Sequence, residues 1–244
     1  MKILTGFHAV TSRLRQKPDT VKEIYMDAER KDGRAKDLRD LAQRLHVRVL
    51  SVDTKRLDGM AAGVRHQGVV AQAEDLDMPK FIEDVIESLD EPPLLLILDG
   101  VQDPHNLGAC LRAADGAGAH AVIAPKDRSV GLTTAAIKVA SGAAESVPYI
   151  VVTNLARTMR DLKERGVWMI GADDSAEKSI FESKLEGAIA IVMGAEGEGL
   201  RRLTRDSCDL LVSLPMMGAV ESLNVSVASG VCLYEARRRR LAER

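Results

Sequence analysis

Leu94-Leu95-Leu96-Ile97-Leu98 is a run of five aliphatic residues with no polar side chain among them. Such a run predicts a strand that is buried on both faces, as in the middle of a parallel sheet. Similar short runs follow at 120–124, 147–152, 167–171, 188–193 and 210–214. From residue 94 onward the sequence therefore predicts a sheet of six strands.

Segments with helical periodicity lie between most of these runs, at 107–117, 132–140, 155–165 and, over a shorter stretch, 200–205. Strands that alternate with helices are typical of an open, mostly parallel α/β sheet. Ligand sites in such sheets gather at the carboxyl ends of the strands. This rule selects three loops, 99–112, 194–200 and 214–224.

The residues before this sheet have their own alternating pattern. Helices are predicted at 8–15, 33–45 and 54–60, and strands at 21–26, 47–52 and 68–73. This pattern predicts a small α/β module over residues 1–75, with a mild excess of basic side chains. The cations Arg34, Lys36, Arg39, Arg44 and Arg48 could contact RNA phosphates or simply form a solvated helix face, and both interpretations stay open.

The composition then turns acidic, with prolines at positions 79, 92 and 93. That change predicts a linker over 76–93, containing a short helix at 80–89, and a second domain over 94–244.

Composition excludes several classes of protein. Only 3% of the 244 residues are aromatic, which argues against an RNA surface built from stacked rings. Three scattered cysteines argue against a disulfide framework or a zinc site, and five dispersed histidines predict no metal. No apolar run is long enough to span a membrane, so we expect a cytoplasmic protein that contacts no membrane.

The first loop places Asn106 at a predicted helix entrance and Arg112 in the first or second turn of that helix. Helix entrances attract anions, and an arginine adds a charged fork, so a phosphate or ribose phosphate is the natural ligand. Alternatively, Arg112 pairs with Asp99, Asp103 or Asp115.

The second loop, from Gly194 to Leu200, is rich in glycine but lacks the dinucleotide-binding spacing. Glu196 and Glu198 would also repel a pyrophosphate. Its glycines favour backbone brought close to a ligand such as adenine or a sulfonium cofactor, although an ordinary glycine turn explains them equally well.

The third loop leads into a helix. Leu223, Val227, Val231 and Tyr234 recur at helical spacing and predict its apolar, core-facing or dimer-forming side. Ser222 is predicted to be the N-cap, and the polar group Ser222, Asn224 and Ser226 indicates either a site or simple capping. The arginines at 237–240 suit the negative end of the helix dipole and are predicted to form a solvated tail.

The three loops together carry ordered motifs: Asn106-x-Gly108-x-x-x-Arg112, then Gly194-x-Glu196-x-x-Gly199-Leu200, then Pro215-Met216-x-Gly218 followed by Ser222-Leu223-Asn224-Val225-Ser226. In this order they resemble the SpoU/TrmH family of RNA ribose 2′-O-methyltransferases. The segments 6–10 (Gly-Phe-His-Ala-Val) and 66–69 (His-Gln-Gly-Val) extend the resemblance over nearly the whole chain. It is strongest to the members that methylate a guanosine in the peptidyl-transferase loop of bacterial 23S ribosomal RNA.

The resemblance implies an activity and an architecture. Methyl transfer from S-adenosylmethionine to the ribose 2′-hydroxyl of a 23S guanosine is expected, in a homodimer formed by the catalytic domain. The cofactor is expected in a C-terminal trefoil knot, held by Gly194, Gly199, Leu214, Met216 and Leu223. The front module is expected to be an RNA-binding α/β/α fold.

The resemblance also assigns catalytic roles. Arg112 is the expected base, its organiser or an electrostatic stabiliser. Asn106 would orient Arg112 or the ribose, Glu196 would fix Arg112 or the neighbouring backbone, and Ser222 and Asn224 would shape the pocket. Transfer RNA is the alternative substrate, and an RNA-binding assembly protein without catalysis is the alternative class. The glycine spacing argues against a nicotinamide-dependent oxidoreductase.

Overall fold

The computed structural model describes residues 1–75 and 78–242, and the chain divides into two compact units, Met1–Met78 and Pro79–Arg244. Within the described residues, no helix has the length and apolar character needed to cross a membrane.

The front unit is a four-stranded sheet covered by helices on both faces. Its elements run β1 (Lys2–Thr5), α1 (Phe7–Gln16), a 3₁₀ turn (Pro18–Thr20), β2 (Val21–Asp27), α2 (Gly33–Arg44), β3 (Arg48–Val52), α3 (Thr54–Ala61) and β4 (Val69–Ala73). The strand order is β1-β4-β2-β3, with β2 and β3 parallel and the other two pairs antiparallel.

Two apolar clusters hold the front unit together. One lies between the sheet and helices α1 and α2, and includes Val10, Leu14 and Leu38. The other, on the opposite face, joins Leu57 and Ala61 of α3 to the sheet. The expected α/β/α architecture is confirmed, and all six of its predicted elements are present. β1 was not predicted, because it is short and begins next to the chain terminus.

The second unit is a six-stranded sheet whose neighbouring strands are all parallel. Its elements run α4 (Ile82–Glu87), β5 (Leu94–Asp99), α5 (Pro104–Ala117), β6 (Ala121–Pro125), α6 (Thr134–Ala140), a 3₁₀ turn (Ala143–Glu145), β7 (Tyr149–Val152), α7 (Leu155–Glu164), β8 (Trp168–Ala172), a 3₁₀ turn (Ile180–Glu182), β9 (Ile189–Gly194), α8 (Arg202–Ser207), β10 (Leu210–Val212) and α9 (Val225–Ala242). The order is β10-β8-β9-β5-β6-β7. All six predicted strands are confirmed.

Strand β5 occupies the middle of this sheet and is buried on both faces. Leu94, Leu96 and Leu98 pack into the cluster that contains α5, α6 and α9. Leu95 and Ile97 pack on the other face, against α4 and α7. The two apolar faces explain the uninterrupted aliphatic run, because a strand covered on both sides has no polar face. Helix α4, predicted within the linker, packs on this sheet through Ile82 and Val85.

Candidate functional site

The three selected loops lie at the carboxyl edge of the six-stranded sheet. They follow β5, β9 and β10, which end at Asp99, Gly194 and Val212. Asp99 and Gly194 are paired across the two central strands. The parallel arrangement therefore brings residues more than 100 positions apart to one edge.

A cavity of about 430 Å³ opens at this edge. All five residues expected to hold a cofactor line it, together with Glu196 and Ser222. The segment after β8 also lines it through Ala172, Asp173, Asp174 and Ser175. That segment was missed at the sequence level, although β8 also ends at the carboxyl edge and the same rule would have selected it.

Both apolar and negatively charged side chains surround the cavity. Val212, Leu214 and Leu223 supply an apolar wall, and Asp173, Asp174, Glu196 and Glu198 supply carboxylates. Asp173 is held by Arg205, whose Nε lies 2.9 Å from its Oδ2. A lining rich in carboxylates disfavours phosphate and favours a ligand with positive charge.

The loop 194–200 closes on itself as a tight turn. Ala195 and Gly199 exchange two backbone hydrogen bonds, with N to O distances of 3.1 and 2.9 Å. Gly199 has a φ of +66°, in the left-handed region that favours glycine. At Gly194 an added Cβ would lie 2.1 Å from the carbonyl carbon of Gly199. The turn itself thus requires the glycines, and its backbone forms one wall of the cavity.

Asn106, Glu196 and Asn224, one from each loop, are hydrogen bonded to one another. Asn224 Nδ2 donates to Asn106 Oδ1 at 3.0 Å and lies 3.5 Å from Glu196 Oε2. Asn106 Nδ2 donates to Glu196 Oε2 at 3.2 Å. We call these three residues the loop triad. It fixes the relative positions of the three loops through side chains rather than backbone.

Asn224, rather than Ser222, is the N-cap of α9. Its Oδ1 accepts from the Ser226 backbone N–H at 2.9 Å and from the Ser226 hydroxyl at 2.6 Å. Its carbonyl accepts the first helical hydrogen bond, from Ala228. The prediction for Ser222 was wrong because the helix begins at Val225, so Ser222 lies two residues outside the cap.

A second, smaller cavity of about 200 Å³ lies on the other side of the turn. Gly100, Gln102, Asp103 and Asn106 line it. It shares Ala195, Glu196, Glu198 and Val225 with the larger cavity. Glu196 of the loop triad therefore stands between two adjacent cavities.

Arg112 is exposed and lies in the third turn of α5. The helix begins at Pro104, earlier than predicted, because Asp103 caps it and proline suits the first position. The prediction of the first or second turn was therefore wrong. Within residues 1–75 and 78–242, the Arg112 guanidinium makes no hydrogen bond or ion pair, so it is bonded to neither Glu196 nor Asn106.

The three carboxylates that could have paired with Arg112 are engaged elsewhere. Asp99 accepts from the Arg201 backbone N–H at 3.1 Å and from its Nε at 2.6 Å. Asp103 caps α5, and Asp115 accepts from the Ser146 hydroxyl. The alternative that Arg112 simply neutralises a nearby aspartate is therefore wrong.

The Asp99–Arg201 ion pair was not predicted. The Asp99 side chain is completely buried and anchors the chain just after Leu200, at the end of the turn. The only sign of this ion pair in the sequence is that a charged residue, Asp99, ends an otherwise aliphatic strand.

The apolar stripe on α9 does not face the core. Val227 and Tyr234 are about half exposed, at 52% and 55%, and Leu223 lies outside the helix. The buried side instead carries Leu233 and a set of small residues that includes Ala228, Cys232 and Ala236. The core interpretation of the stripe was wrong, because α9 packs closely on α5 and this contact selects small side chains.

Among the arginines at the end of α9, Arg238 is largely exposed, as predicted for a solvated tail, but the others are not. Arg237 donates to the carbonyls of Ala117 and Gly118, each at 2.7 Å. Arg240 donates to the carbonyls of Pro92, Pro93 and Gly187 at 2.6–2.8 Å. These arginines fasten the helix to the amino-terminal edge of the sheet.

The thiols do not offer a nucleophile. Burial raises the pKa of Cys110 to about 11 and the pKa values of Cys208 and Cys232 to about 12, so all three are protonated near neutral pH. Among the residues that the structure describes, no cluster of three or more His, Cys, Asp or Glu side chains could hold a metal ion.

Comparisons with known proteins agree on one family. The sequence model of the SpoU rRNA Methylase family matches residues 93–234, and that for RNA 2′-O ribose methyltransferase substrate binding matches residues 3–79. A Ralstonia nicotianae protein named 23S rRNA (guanosine-2′-O-)-methyltransferase RlmB is 61% identical over 98% of this chain and 96% of its own. The protein of the same name from Bordetella pertussis is 59% identical over 98% of both chains.

A solved structure has the same fold. The SpoU methyltransferase AviRb from Streptomyces viridochromogenes, in complex with AdoMet, superposes with a TM-score of 0.71 at 22% identity, covering 99% of this chain and 91% of its own.

Proposed function

This chain belongs to the SpoU rRNA methylase family, and from that membership we propose that it transfers a methyl group from S-adenosylmethionine to the ribose 2′-hydroxyl of a guanosine in 23S ribosomal RNA. The relatives at 59–61% identity carry names that state this reaction. The observation that carries the proposal is the loop triad, which joins the three family motifs between two cavities.

The larger cavity fits the methyl donor. Its volume of about 430 Å³ lies within the range of small-molecule sites. Leu214 and Leu223 offer apolar contact for an adenosine, and the carboxylates of Asp173 and Asp174 complement a sulfonium and an amino group. Backbone atoms of the turn that starts at Gly194 can hydrogen bond to the adenine edge. When bound, this donor supplies an electrophilic methyl group.

The smaller cavity is the natural place for the ribose. It is separated from the larger cavity by the turn that carries Glu196. Asn106 lines it with a half-buried amide whose orientation Glu196 and Asn224 fix. We assign Asn106 the role of orienting the ribose, with Glu196 and Asn224 as positioning residues and Ser222 as a wall of the donor cavity.

A hydroxyl is a poor nucleophile and must lose its proton, here to solvent water, as the new oxygen–carbon bond forms and the methyl–sulfur bond of the donor breaks. Arg112 stays protonated in this reaction, because a guanidinium does not give up its proton in a protein. Its charge is also not neutralised by Asp99, Asp103 or Asp115. We therefore assign Arg112 the role of holding an RNA phosphate and stabilising negative charge on the 2′-oxygen.

We propose that the front unit selects the RNA. Its match to the substrate-binding model covers residues 3–79, and Arg34, Lys36 and Arg44 on α2 are exposed. A ribosomal RNA substrate implies a cytoplasmic site of action.

We also propose a homodimer through the second unit. Val227 and Tyr234 leave an apolar strip exposed along α9, and this helix starts at the site. Light scattering is expected to give twice the chain mass, and Val227→Glu is expected to shift the protein toward the monomer. The trefoil knot that the resemblance implies for the C-terminal part of the catalytic domain stays a prediction.

The decisive experiment is methyl transfer with a mapped product. The purified protein would be incubated with isotope-labelled S-adenosylmethionine and either 23S ribosomal RNA or bulk transfer RNA, both from a strain that lacks the gene. Label on a single 23S guanosine 2′-oxygen is expected. Label on transfer RNA alone would establish the alternative substrate. Cofactor binding without any transfer would overturn the proposed reaction.

A further inference from the structure

The front unit contains a cavity that the reaction above does not use. Its volume is about 580 Å³, and it lies beside the end of β2 and the segment 63–68. The segments 6–10 and 66–69 meet next to it, because Arg30 contacts both Phe7 and the carbonyl of Gln67. Two motifs about 60 residues apart therefore converge on one arginine.

Arg30 is held in a fixed plane. Its guanidinium carbon lies 4.6 Å from the centroid of the Phe7 ring, its Nε donates to the Asp32 carboxylate and its Nη1 donates to the Gln67 carbonyl. Phe7 is buried, whereas Arg30 lines the cavity. Arg30 thus lines the cavity with its guanidinium held against an aromatic ring, and a guanidinium fixed in this way is preorganised for stacking.

Gln67 offers an unused amide beside this platform. Its φ of +53° is in the left-handed region, which a residue with a side chain rarely adopts and which often marks a functional position. The side chain is exposed and lines the cavity, and it makes no hydrogen bond within the described part of the chain. One donor group and one acceptor are therefore available to a ligand.

The neighbouring groups keep this arrangement rigid. His66 Nδ1 accepts from the Gly68 backbone N–H at 3.1 Å, so Nε2 carries the proton and donates to Asp58 at 2.9 Å. A Cβ on Gly68 would lie 2.9 Å from Arg30 Cδ, so glycine is needed for the arginine to occupy its position.

Charge argues against a phosphate in this cavity. Arg30 and Arg65 line it together with Asp27 and Asp58, so the opposing charges balance. The Thr54 hydroxyl donates to Asp27 at 2.6 Å and is the main reason why the pKa of Asp27 lies below its ordinary value, which keeps this carboxylate charged. A neutral, flat ligand with hydrogen-bonding edges fits better than an anion.

We infer that this cavity binds one unpaired nucleobase of the RNA substrate, stacked on Arg30 and hydrogen bonded along its edge by the Gln67 amide. The inference rests on the proposed function, because it takes RNA as the substrate. It fits a chain with only 3% aromatic residues, since an arginine backed by one ring replaces a stack of aromatic side chains.

The test compares unpaired and paired RNA on the full-length protein. Fluorescence anisotropy would measure binding of a labelled hairpin with an unpaired loop and of a perfect duplex of equal length, at several salt concentrations. Gln67→Ala and Arg30→Lys are each expected to weaken hairpin binding about tenfold. The affinity of each variant for the duplex and the salt dependence of its RNA binding should stay at the wild-type level, since neither substitution removes a phosphate contact.

Matched controls lie at the end of α1 in the same unit. Arg15 and Gln16 are exposed and make no side-chain hydrogen bond or ion pair within the described residues, so Gln16→Ala and Arg15→Lys should retain the wild-type preference for the hairpin. Gln67→Asn keeps an amide and tolerates the left-handed backbone, so it should restore part of the hairpin affinity. Circular dichroism would verify that each variant is folded.

Unchanged hairpin affinity in folded Gln67→Ala and Arg30→Lys would overturn the inference. An equal loss on hairpin and duplex would also overturn it, because the residues would then contact the RNA backbone. These measurements need no methyl donor, so a failure of the proposed reaction would be seen separately, as absent methyl transfer by the wild-type protein.

Discussion

The two edges of the six-stranded sheet use polar side chains in different ways. At the carboxyl edge, Asn106, Glu196 and Asn224 bond mainly to one another and border two cavities. At the amino edge, Arg237 and Arg240 bond to backbone carbonyls. Helix α9 joins both edges, with its entrance at the first and its last turns at the second.

This difference in hydrogen bonding indicates that one end of α9 contributes mainly to function and the other mainly to stability. At the carboxyl edge the side chains bond to one another, and their amide and carboxylate groups can still form further hydrogen bonds with a ligand. Arginine bonds to carbonyls at the amino edge tie the end of α9 to the segments that lead into the strands. Changes at the carboxyl edge should therefore reduce turnover more than stability, and changes at the amino edge should do the opposite.

Arg112→Ala should have the largest effect on turnover. We expect kcat for methyl transfer to fall about a hundredfold, because one charge-stabilising group is lost from the reacting oxygen. The side chain is exposed and unpaired within the described residues, so stability and the Kd for S-adenosylmethionine should barely change. Calorimetry and a methyl-transfer assay would measure these quantities. Turnover at the wild-type level would refute the role given to Arg112.

Arg240→Ala should be the strongest test of whether the amino edge contributes to stability. It removes three hydrogen bonds to carbonyls, and we expect the free energy of unfolding to fall by about 2 kcal/mol. The kcat measured well below the melting temperature should stay the same. Urea denaturation gives the stability, and a loss of turnover without a loss of stability would contradict the separation of the two edges.

Two substitutions of Asn224 can distinguish its role as the N-cap of α9 from its role in the loop triad. Asn224→Asp keeps a good N-cap but places a carboxylate near Glu196, so we expect turnover to fall about tenfold with little change in stability. Asn224→Ala loses both functions and should also destabilise the protein by about 1 kcal/mol. If the two variants were equally active and differed only in melting temperature, Asn224 would be a cap alone.

Glu235→Gln should have a small and pH-dependent effect. Arg238 and, less strongly, Arg239 bond to this carboxylate and lower its pKa below the ordinary value of 4.5. A lowered folded-state pKa stabilises the protein above the unfolded-state pKa, and this stabilisation is lost as the pH falls through the folded-state value. The difference in melting temperature between wild type and variant should therefore shrink as the pH falls below about 4.5, the ordinary pKa of a glutamate. A difference that is constant with pH would contradict this assignment.

The sheet could be predicted from the sequence because burial on both faces leaves a direct trace. The aliphatic run from Leu94 to Leu98 is such a trace, and the topology of a parallel sheet then places the three loops at one edge. The contacts within the loop triad could not be predicted in this way. They join residues 90 and 118 positions apart and depend on side-chain directions that no periodicity encodes.

Helix α9 illustrates where hydrophobic periodicity fails. Val227 and Tyr234 belong to the predicted apolar face, yet both are about half exposed. The buried residues are mostly small, namely Ala228, Ser229, Cys232 and Ala236, with Leu233 as a larger one. Two helices that pack closely need small side chains, which contribute little to a hydrophobic pattern. The same limitation applies to Asp99, whose role appears only once Arg201 is seen beside it.

The backbone wall at the turn 194–199 has a consequence for inhibition. A Cβ at Gly194 would collide with Gly199, and Gly197 and Gly199 both have positive φ angles. A compound anchored on the main-chain atoms of this turn would therefore meet a surface that point mutation can hardly reshape without breaking the turn. Resistance would have to arise at the apolar wall instead, at positions such as Leu214 and Leu223.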